Sequence, residues 1–308
     1  MPEAPEIAIL SQYLSGLKDK YIEDFDIIKG KYTRKDPKGF DKIDFDDKFI
    51  IKKVESKGKL MYFKLKNMRS NDIIYMTSHL GLSGEWNLEK DKKDNIQIRI
   101  GNTKNDNKMY MCYYDPRNFG NIEFLTEKEL NEKLDELADD ALKTSFTEDD
   151  FIKRVNNYLK VSSKRKNQPI FLVLMKQNKK DGILSGLGNY LTPEILYEAK
   201  ISPFREIGSL TDSELKTLSK SIKKVIKLSY YNNITGYMTN FGEYSVIHKK
   251  GIDNGVYPEY HKDIKLKSSD KFIFKVYQKD KDEIGNKVEK DKTLNKGRTV
   301  YYVPKIQI

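Results

Sequence analysis

The chain has 308 residues, of which 38% are hydrophobic and 33% are charged. This length and composition are typical of a globular protein with room for two domains, since one hydrophobic core rarely organises so long a chain. Because no apolar run is as long as a bilayer span and no secretory signal stands at the start, we expect neither a membrane protein nor a secreted one. The single cysteine, Cys112, excludes an internal disulfide and a zinc site of four cysteines, and it fits a reducing compartment.

The positive charge is in excess, with 57 Lys and Arg against 46 Asp and Glu and a formal net charge of +11. Such an excess favours a polyanionic partner only if it is gathered on one face of the protein. Six basic residues are candidates for such a face, although charge runs are just as often merely solvated: Lys164, Arg165, Lys166, Lys176, Lys179 and Lys180.

The first predicted elements are a helix and then a series of strands. Pro5 fits the first turn of a helix, and apolar residues recur behind it at helical spacing: Ile7, Leu10, Leu14 and Leu17. Five strand-like segments follow, at residues 49–54, 60–65, 73–78, 96–100 and 109–114. Several short strands separated by polar turns predict a β-sandwich or barrel.

Helices replace strands after residue 125. Three Thr-x-x-acid pairs have the spacing of a helix capping box: Thr126 with Glu129, Thr147 with Asp150, and Thr211 with Glu214. The third helix carries an apolar stripe made of Leu215, Leu218, Ile222, Val225 and Ile226. Residues 232–260 have little periodicity, and residues 272–278 and 299–303 predict the two strands of a C-terminal hairpin.

We therefore predict an α+β fold in four parts. These are an N-terminal β-sandwich with flanking helices (1–125), a linker helix region (126–146), a helical domain (147–240), and a loop with a β-hairpin (241–308).

The first six residues, Met-Pro-Glu-Ala-Pro-Glu, contain a candidate nucleophile. Initiator methionine is normally removed before proline, which would leave Pro2 with a free secondary amine. An α-amino group titrates near pH ~8, against ~10.4 for lysine, so more of it is neutral and nucleophilic. Attack on a sugar C1′ would give a cationic iminium that promotes elimination, and Glu3 could transfer protons. These residues alone favour a simpler interpretation, the ordinary start of a helix.

Five segments resemble, in the same order, those of the formamidopyrimidine-DNA glycosylase and endonuclease VIII family. The opening is similar to their Met-Pro-Glu-x-Pro-Glu start, and residues 56–60 (Ser-Lys-Gly-Lys-Leu) to the turn with their catalytic lysine. Residues 79–84 (His-Leu-Gly-Leu-Ser-Gly) and 114–120 (Tyr-Asp-Pro-Arg-Asn-Phe-Gly) resemble two of their loops. Residues 186–191 (Gly-Leu-Gly-Asn-Tyr-Leu), followed by Glu-Ile-Leu-Tyr, resemble their helix-two-turns-helix motif.

The resemblance implies a bifunctional DNA glycosylase and AP lyase that excises oxidised bases through a Schiff base on its N-terminal proline and then cleaves the strand by β,δ-elimination. The catalytic residues that it implies are Pro2, Glu3, Lys59 and Arg298. Without the resemblance, Lys59 would be interpreted as one more solvated lysine.

The same resemblance implies that the damaged nucleotide is flipped out of the duplex and that side chains fill the gap. In this role Arg117 would face the orphaned base and Phe119 would intercalate, although Phe119 and Leu82 alone suggest core packing. The DNA-binding residues that it implies are Asn189, Leu82, Arg117, Phe119 and Glu6.

The chain departs from the family in its C-terminal part. Bacterial members end in a zinc finger with a Cys-Pro-x-Cys-Gln run, whereas residues 303–307 here read Val-Pro-Lys-Ile-Gln. Zinc cannot bind through absent thiolates, so we expect no metal and no cofactor. The hairpin would be held by packing, as in the zincless finger of the animal, plant and giant-virus endonuclease VIII-like branch. Asn118 replaces a second arginine, which predicts one weaker backbone contact.

The expected partner is damaged double-stranded DNA, with single-stranded or bubble DNA as further candidates, and the protein is expected to be a monomer. It would act inside the cell at DNA, in a nucleus, nucleoid or viral factory. The lesion-recognition loop is expected within residues 234–257, and the preferred base stays open. Two alternatives are a non-catalytic DNA-damage-binding protein on the same scaffold and a tautomerase-like enzyme, which would leave Asn189 and Arg298 unexplained. No histidine spacing predicts a metal site, and His79 is expected to be structural.

Overall fold

A computed structural model describes residues 2–101, 109–231, 248–267 and 269–308. These residues form two compact units: an N-terminal unit with residues 2, 6–101, 109–135 and 248–250, and a C-terminal unit with residues 3–5, 136–231, 251–267 and 269–308. Residues 234–247 of the expected lesion-recognition loop lie outside the described ranges. In those ranges, no helix is long and apolar enough to cross a bilayer.

The described residues of the N-terminal unit include most of helix α1 and eight antiparallel strands. Their bounds are α1 Ala4–Leu14, β1 Tyr21–Ile27, β2 Phe49–Lys57, β3 Leu60–Asn67, β4 Ile73–His79, β5 Glu85–Asn87, β6 Ile96–Gly101, β7 Met109–Tyr114 and β8 Asn121–Leu125, followed by α2 Glu127–Glu136. All five predicted strands are confirmed. Three strands were missed: β1 carries three acidic residues among its seven, β5 has only three residues, and β8 lies at the end of the predicted sandwich domain.

The eight strands form a sandwich. Their order is β5-β7-β6-β1-β2-β3-β4-β8, and β1 joins β2 through only two residue pairs. Trp86 on β5 lies with its ring 6.0 Å from that of Phe63 on β3, and its indole N–H donates to Ser78 on β4. Because strands far apart in the order touch, the sheet folds back on itself, and the predicted sandwich is confirmed.

The single cysteine belongs to this core. Cys112 on β7 is fully buried. Desolvation and the nearby charge of Asp94 raise the pKa of its thiol to about 12.

The described residues of the C-terminal unit include the α-helices α3 to α6 and a short hairpin. Their bounds are α3 Glu148–Lys160, α4 Ile170–Met175, α5 Leu191–Ala199, α6 Asp212–Tyr231, β9 Glu289–Asp291 and β10 Val300–Tyr302. The apolar stripe predicted for α6 is buried along its whole length. In all three predicted capping boxes, the threonine hydroxyl accepts the backbone N–H three residues on and the acid accepts the threonine N–H. The capping prediction is therefore confirmed.

The predicted C-terminal hairpin is wrong in one strand. β10 pairs with β9 through three residue pairs, and residues 272–278 form no strand. The physical reason is a carboxylate. The backbone N–H groups of Lys275, Val276 and Tyr277 donate to Glu194 on α5, at 2.9, 3.0 and 2.8 Å, so they are not available for a neighbouring strand.

The segment around the hairpin is fixed to α5 by packing and by hydrogen bonds. Tyr197 on α5 lies in a buried cluster with Val276, Val288 and Val303. Its hydroxyl donates to Asp282 at 3.1 Å, and the same carboxylate accepts two backbone N–H groups of its own turn. One helix therefore supports the chain on both sides of β9.

Candidate active site

In the C-terminal unit, Glu3 lies at the beginning of α5. The residue is fully buried, and its carboxylate accepts the N–H groups of Tyr190 at 2.9 Å and Leu191 at 3.4 Å. N–H groups in the first turn of a helix have no partner within the helix and attract negative charge. The next residue, Ala4, donates its N–H to the carbonyl of Gly186 at 3.0 Å. The start of the chain is thus fixed against the glycine turn that leads into α5.

The same turn contacts the C-terminal hairpin. The side-chain amide of Asn189 donates to the carbonyl of Thr299 at 3.5 Å, directly after Arg298. The guanidinium of Arg298 has neither a hydrogen bond nor an ion pair with any residue that the structure describes. Three residues predicted from distant parts of the sequence, Glu3, Asn189 and Arg298, are therefore brought to one region of this unit.

In the N-terminal unit, Lys59 lies in the tight turn between β2 and β3, after Gly58 with its positive φ of 56°. Both Lys59 and Pro2 are buried. The neighbouring strand ends at His79, whose Nδ1 accepts the N–H of Gly81 at 3.3 Å. Desolvation, followed by the charge of Lys59, lowers the pKa of His79 and so favours the neutral ring, whose nitrogen can accept this bond. This contact fits the structural role expected for His79.

Arg117 and Phe119 lie on the wedge loop, which we define as residues 115–120. At its base, the carboxylate of Asp115 accepts the N–H of Gly120 at 2.7 Å. The side chain of Phe119 is 59% exposed, so the alternative that it packs in the core is wrong. Arg117 is also exposed, and its guanidinium has no hydrogen bond or ion pair within the described residues. The loop therefore presents an aromatic ring and a positive charge to solvent.

Leu82 lies on a turn that touches this loop. A Cβ on Gly81 would be 2.6 Å from the carbonyl carbon of Phe119 and from the nitrogen of Gly120, so only glycine allows the two backbones to approach. Leu82 itself is half-buried. Glu6, by contrast, is buried in the first turn of α1.

Asn118, for which one weaker backbone contact is predicted, also has a role within the protein. The residue has a φ of 56°, a left-handed conformation that asparagine tolerates better than most residues. Its side-chain oxygen accepts the N–H of Lys31 at 3.0 Å. Asn118 therefore shapes the wedge loop.

Of the six candidate basic residues, Arg165 is used within the protein. Its guanidinium stacks on Tyr158 at 4.5 Å and donates to the carbonyl of Lys180. The other five are exposed, and their ammonium groups form no ion pair with described residues.

The sequence analysis assigned no role to three polar residues that support the segments described above: Lys31 in the N-terminal unit, and Gln177 and Glu194 in the C-terminal unit. The side chain of Gln177 donates to the carbonyl of Leu187 at 2.9 Å and accepts the N–H of Gly186 at 2.8 Å, which fixes the glycine turn from below. A single sequence carries no signal that separates such a residue from a solvated one. Within the described ranges, no group of three or more His, Cys, Asp or Glu side chains could hold a metal ion.

Three family models match the chain. The formamidopyrimidine-DNA glycosylase N-terminal domain matches residues 1–122, the H2TH domain of the same glycosylase matches 137–238, and its C-terminal domain matches 262–308. Among similar proteins, a formamidopyrimidine-DNA glycosylase of Prochlorococcus marinus subsp. pastoris is 26% identical over 281 residues, which cover 81% of this chain and 90% of that protein. The same glycosylase from Prochlorococcus marinus MIT 9211 is 26% identical over the full length of both chains.

Solved structures share the fold. The complex of the Lactococcus lactis Fpg protein with DNA containing an abasic site is 18% identical, covers 99% of each chain and has a TM-score of 0.71. The complex of the LlFpg protein with a THF-DNA and an inhibitor is 20% identical, covers 100% of each chain and has a TM-score of 0.72. The three models together account for most of the sequence, in the order of the family's own domains. The chain therefore belongs to the formamidopyrimidine-DNA glycosylase family.

Proposed function

We propose that this protein is a bifunctional DNA glycosylase and AP lyase of base excision repair, which removes oxidised bases from damaged double-stranded DNA. One observation carries the proposal. Glu3, which follows the assigned nucleophile Pro2 in the sequence, is buried at the start of α5. Asn189, in the turn that leads into the same helix, contacts the hairpin next to Arg298. A proton-transfer group and two phosphate-binding groups in one region suit this chemistry.

The reaction that we assign starts at the amine of Pro2, freed by removal of Met1. Its nitrogen forms a bond to C1′ of the damaged nucleotide while the C1′–N bond to the base breaks, and the base leaves with that electron pair and takes up a proton. Opening of the sugar ring and loss of the amine proton give an iminium. Removal of a C2′ proton then expels the 3′ phosphate, a second elimination expels the 5′ phosphate, and water releases the proline.

The other assigned residues bind and orient the DNA. Arg298 would clamp phosphates around the flipped nucleotide, because its guanidinium, which has no partner among the described residues, is available for charge-assisted hydrogen bonds. Lys59 would bind phosphate beside the lesion, and Asn189 would do so at the beginning of a helix. Arg117 and Phe119 would enter the duplex from the wedge loop with the help of Leu82. Glu6, which the resemblance includes among the DNA-binding residues, lies buried in α1.

We also assign the C-terminal hairpin to the zincless type of the endonuclease VIII-like branch. Support comes from the sequence, which has no cysteine besides Cys112, and from Glu194, which binds three backbone N–H groups beside the hairpin. The protein would act as a monomer inside the cell, at DNA.

Borohydride trapping on an oligonucleotide with an abasic site tests the proposal. Protein that begins at Pro2 should give a covalent adduct, because borohydride reduces the iminium. The same protein with one alanine ahead of Pro2 should bind the oligonucleotide but give no adduct. Specific, salt-sensitive binding without any adduct would favour the alternative, a non-catalytic damage-binding protein. Full trapping by the extended protein would overturn the role of Pro2.

Replacement of Glu3 tests the proton transfer separately. Glu3→Gln should lower base excision by about 10²–10⁴-fold, the range for loss of a general acid or base. Cleavage of a pre-formed abasic site should fall far less, since no base has to leave. Single-turnover rates on the two substrates measure the difference, and equal losses would contradict the role.

A further inference from the structure

We propose that Lys31 is a positioning residue that fixes the wedge loop in the shape needed to enter DNA. The proposal rests on the proposed function, because it assigns the loop to the gap left by a flipped nucleotide. All the residues involved belong to the N-terminal unit.

Lys31 holds the wedge loop at two points. Its backbone N–H donates to Oδ1 of Asn118 at 3.0 Å, and its ammonium donates to the carbonyl of Gly120. The ammonium also lies 5.0 Å from the ring centroid of Tyr32, a cation–π distance that favours this one orientation of the lysine. One residue thus binds the middle and the end of the loop.

Neighbouring residues complete the support. Oδ1 of Asn95 accepts the N–H of Asp115 at 2.6 Å, at the beginning of the loop. The hydroxyl of Tyr32 accepts the N–H of Ile122 at 2.6 Å, just beyond its end. Gly30 has a φ of 88°, and a Cβ there would be 2.5 Å from Oδ1 of Asn118, so glycine is needed for Lys31 to come this close.

The support holds the backbone of the loop and leaves exposed the two side chains that would meet DNA. Arg117 and Phe119 are exposed, while the backbone around them is bound at its beginning, middle and end. A loop ordered before binding does not have to lose conformational freedom when it enters the duplex. Lys31 should therefore matter for lesions in duplex DNA, where a gap must be filled, and matter little for the same lesion in a single strand.

The test compares Lys31→Met with Lys29→Met on one lesion in duplex and in single-stranded form. Lys29 is the matched control, because it lies two positions before Lys31 in the segment that follows β1 and carries the same charge. Its ammonium donates to the carbonyl of Lys92. Lys31→Met should lower the single-turnover excision rate about tenfold on the duplex and less than twofold on the single strand, and Lys31→Arg should restore most of it. Asn118→Gly, which keeps the left-handed backbone accessible, should reproduce the duplex loss.

A second measurement needs no DNA. Amide hydrogen exchange of residues 117–122 should be about tenfold faster in Lys31→Met than in wild type or Lys29→Met, with exchange in β3 and β4 unchanged. Unchanged exchange in the wedge loop, or equal losses on duplex and single strand, would overturn the role of Lys31. If wild type excises no base from either substrate, the proposed function fails, and the exchange measurement still decides whether Lys31 holds the loop.

Discussion

The eight-stranded sheet and the small C-terminal sheet are stabilised in different ways. The eight-stranded sheet buries apolar side chains such as Phe63, Met76 and Ile98 on its strands and folds back on itself. The C-terminal sheet has two strands of three residues, and a hairpin of that size is marginal alone. It depends on buried polar contacts to α5, in particular those of Glu194. The larger sheet should therefore tolerate single polar changes that the small sheet does not.

The largest effect is expected for Glu194→Ala. Three backbone N–H groups would lose their acceptor, that of Val276 in a buried place and those of Lys275 and Tyr277 in half-buried ones. An unsatisfied buried group costs about 1–3 kcal/mol. Hydrogen exchange of residues 275–302 should accelerate strongly. The fluorescence of Trp86, the only tryptophan of the chain, should keep its urea transition, because it reports on the large sheet.

Glu198→Ala is the matched control on the same helix. Glu198 pairs with Lys224 and Lys275, which are both partly exposed, so its loss should cost about 1 kcal/mol or less. If Glu194→Ala and Glu198→Ala accelerated the exchange of residues 275–302 equally, or if Glu194→Ala also shifted the urea transition of Trp86, the two sheets would not differ in how they are stabilised.

A smaller effect is expected for Arg298→Ala, which tests whether the turn of the small sheet contacts DNA. Loss of a charge-assisted contact should weaken binding of duplex lesion DNA by about 1.5–3 kcal/mol. The exchange of β9 and β10 should not change, because the guanidinium has no partner among the described residues. Lys296→Ala, an exposed change in the same turn, is the control. Unchanged lesion binding by Arg298→Ala would exclude the hairpin from the DNA contact.

A weaker pH effect is expected at His261 in the C-terminal unit. Nε2 of this buried ring donates to the carbonyl of Ala141 at 2.8 Å, and desolvation lowers its pKa. The stability it contributes is thus complete above the unfolded pKa of about 6.5 and is lost as the pH falls below it. Asparagine tolerates the φ of 47° at this position. In His261→Asn, the hydrogen exchange of the C-terminal unit should therefore accelerate less than in wild type when the pH falls below about 6.5. The same acid sensitivity in both proteins would contradict this assignment.

The smallest effect is expected for chelators. Because the small sheet is bound to α5 by a carboxylate and by apolar packing, EDTA or phenanthroline should change neither excision nor the exchange of β9 and β10. Inhibition that zinc reverses would mean that the interpretation of the hairpin is wrong.

The sequence predicts the parts of the fold that follow from local pattern. Alternating apolar residues identify five strands, and the Thr-x-x-acid spacing identifies three capped helices, because both depend on neighbours within a few positions. β1 was missed because Glu23, Asp24 and Asp26 interrupt its apolar pattern. The wrong strand at 272–278 has another cause: its N–H groups bind Glu194, more than 80 positions away in the sequence.

The candidate site is likewise predicted only in part. The resemblance to a known family predicts Glu3, Asn189 and Arg298, and the structure brings these residues of the C-terminal unit together. It does not predict Lys31, because a lysine that donates to a backbone carbonyl cannot be told from a solvated one by residue type. The role of Asn118 depends on its left-handed backbone, which the sequence alone does not reveal.

The buried position of Cys112 makes this chain convenient for spectroscopy. A thiol with a pKa near 12 and no exposed surface should not react with maleimide dyes at neutral pH. A new cysteine at an exposed position would then be the sole labelling point, without removal of the native residue. Lys180→Cys, for example, would carry one fluorophore per molecule, and energy transfer to a dye on the oligonucleotide would follow the approach and bending of the DNA in real time.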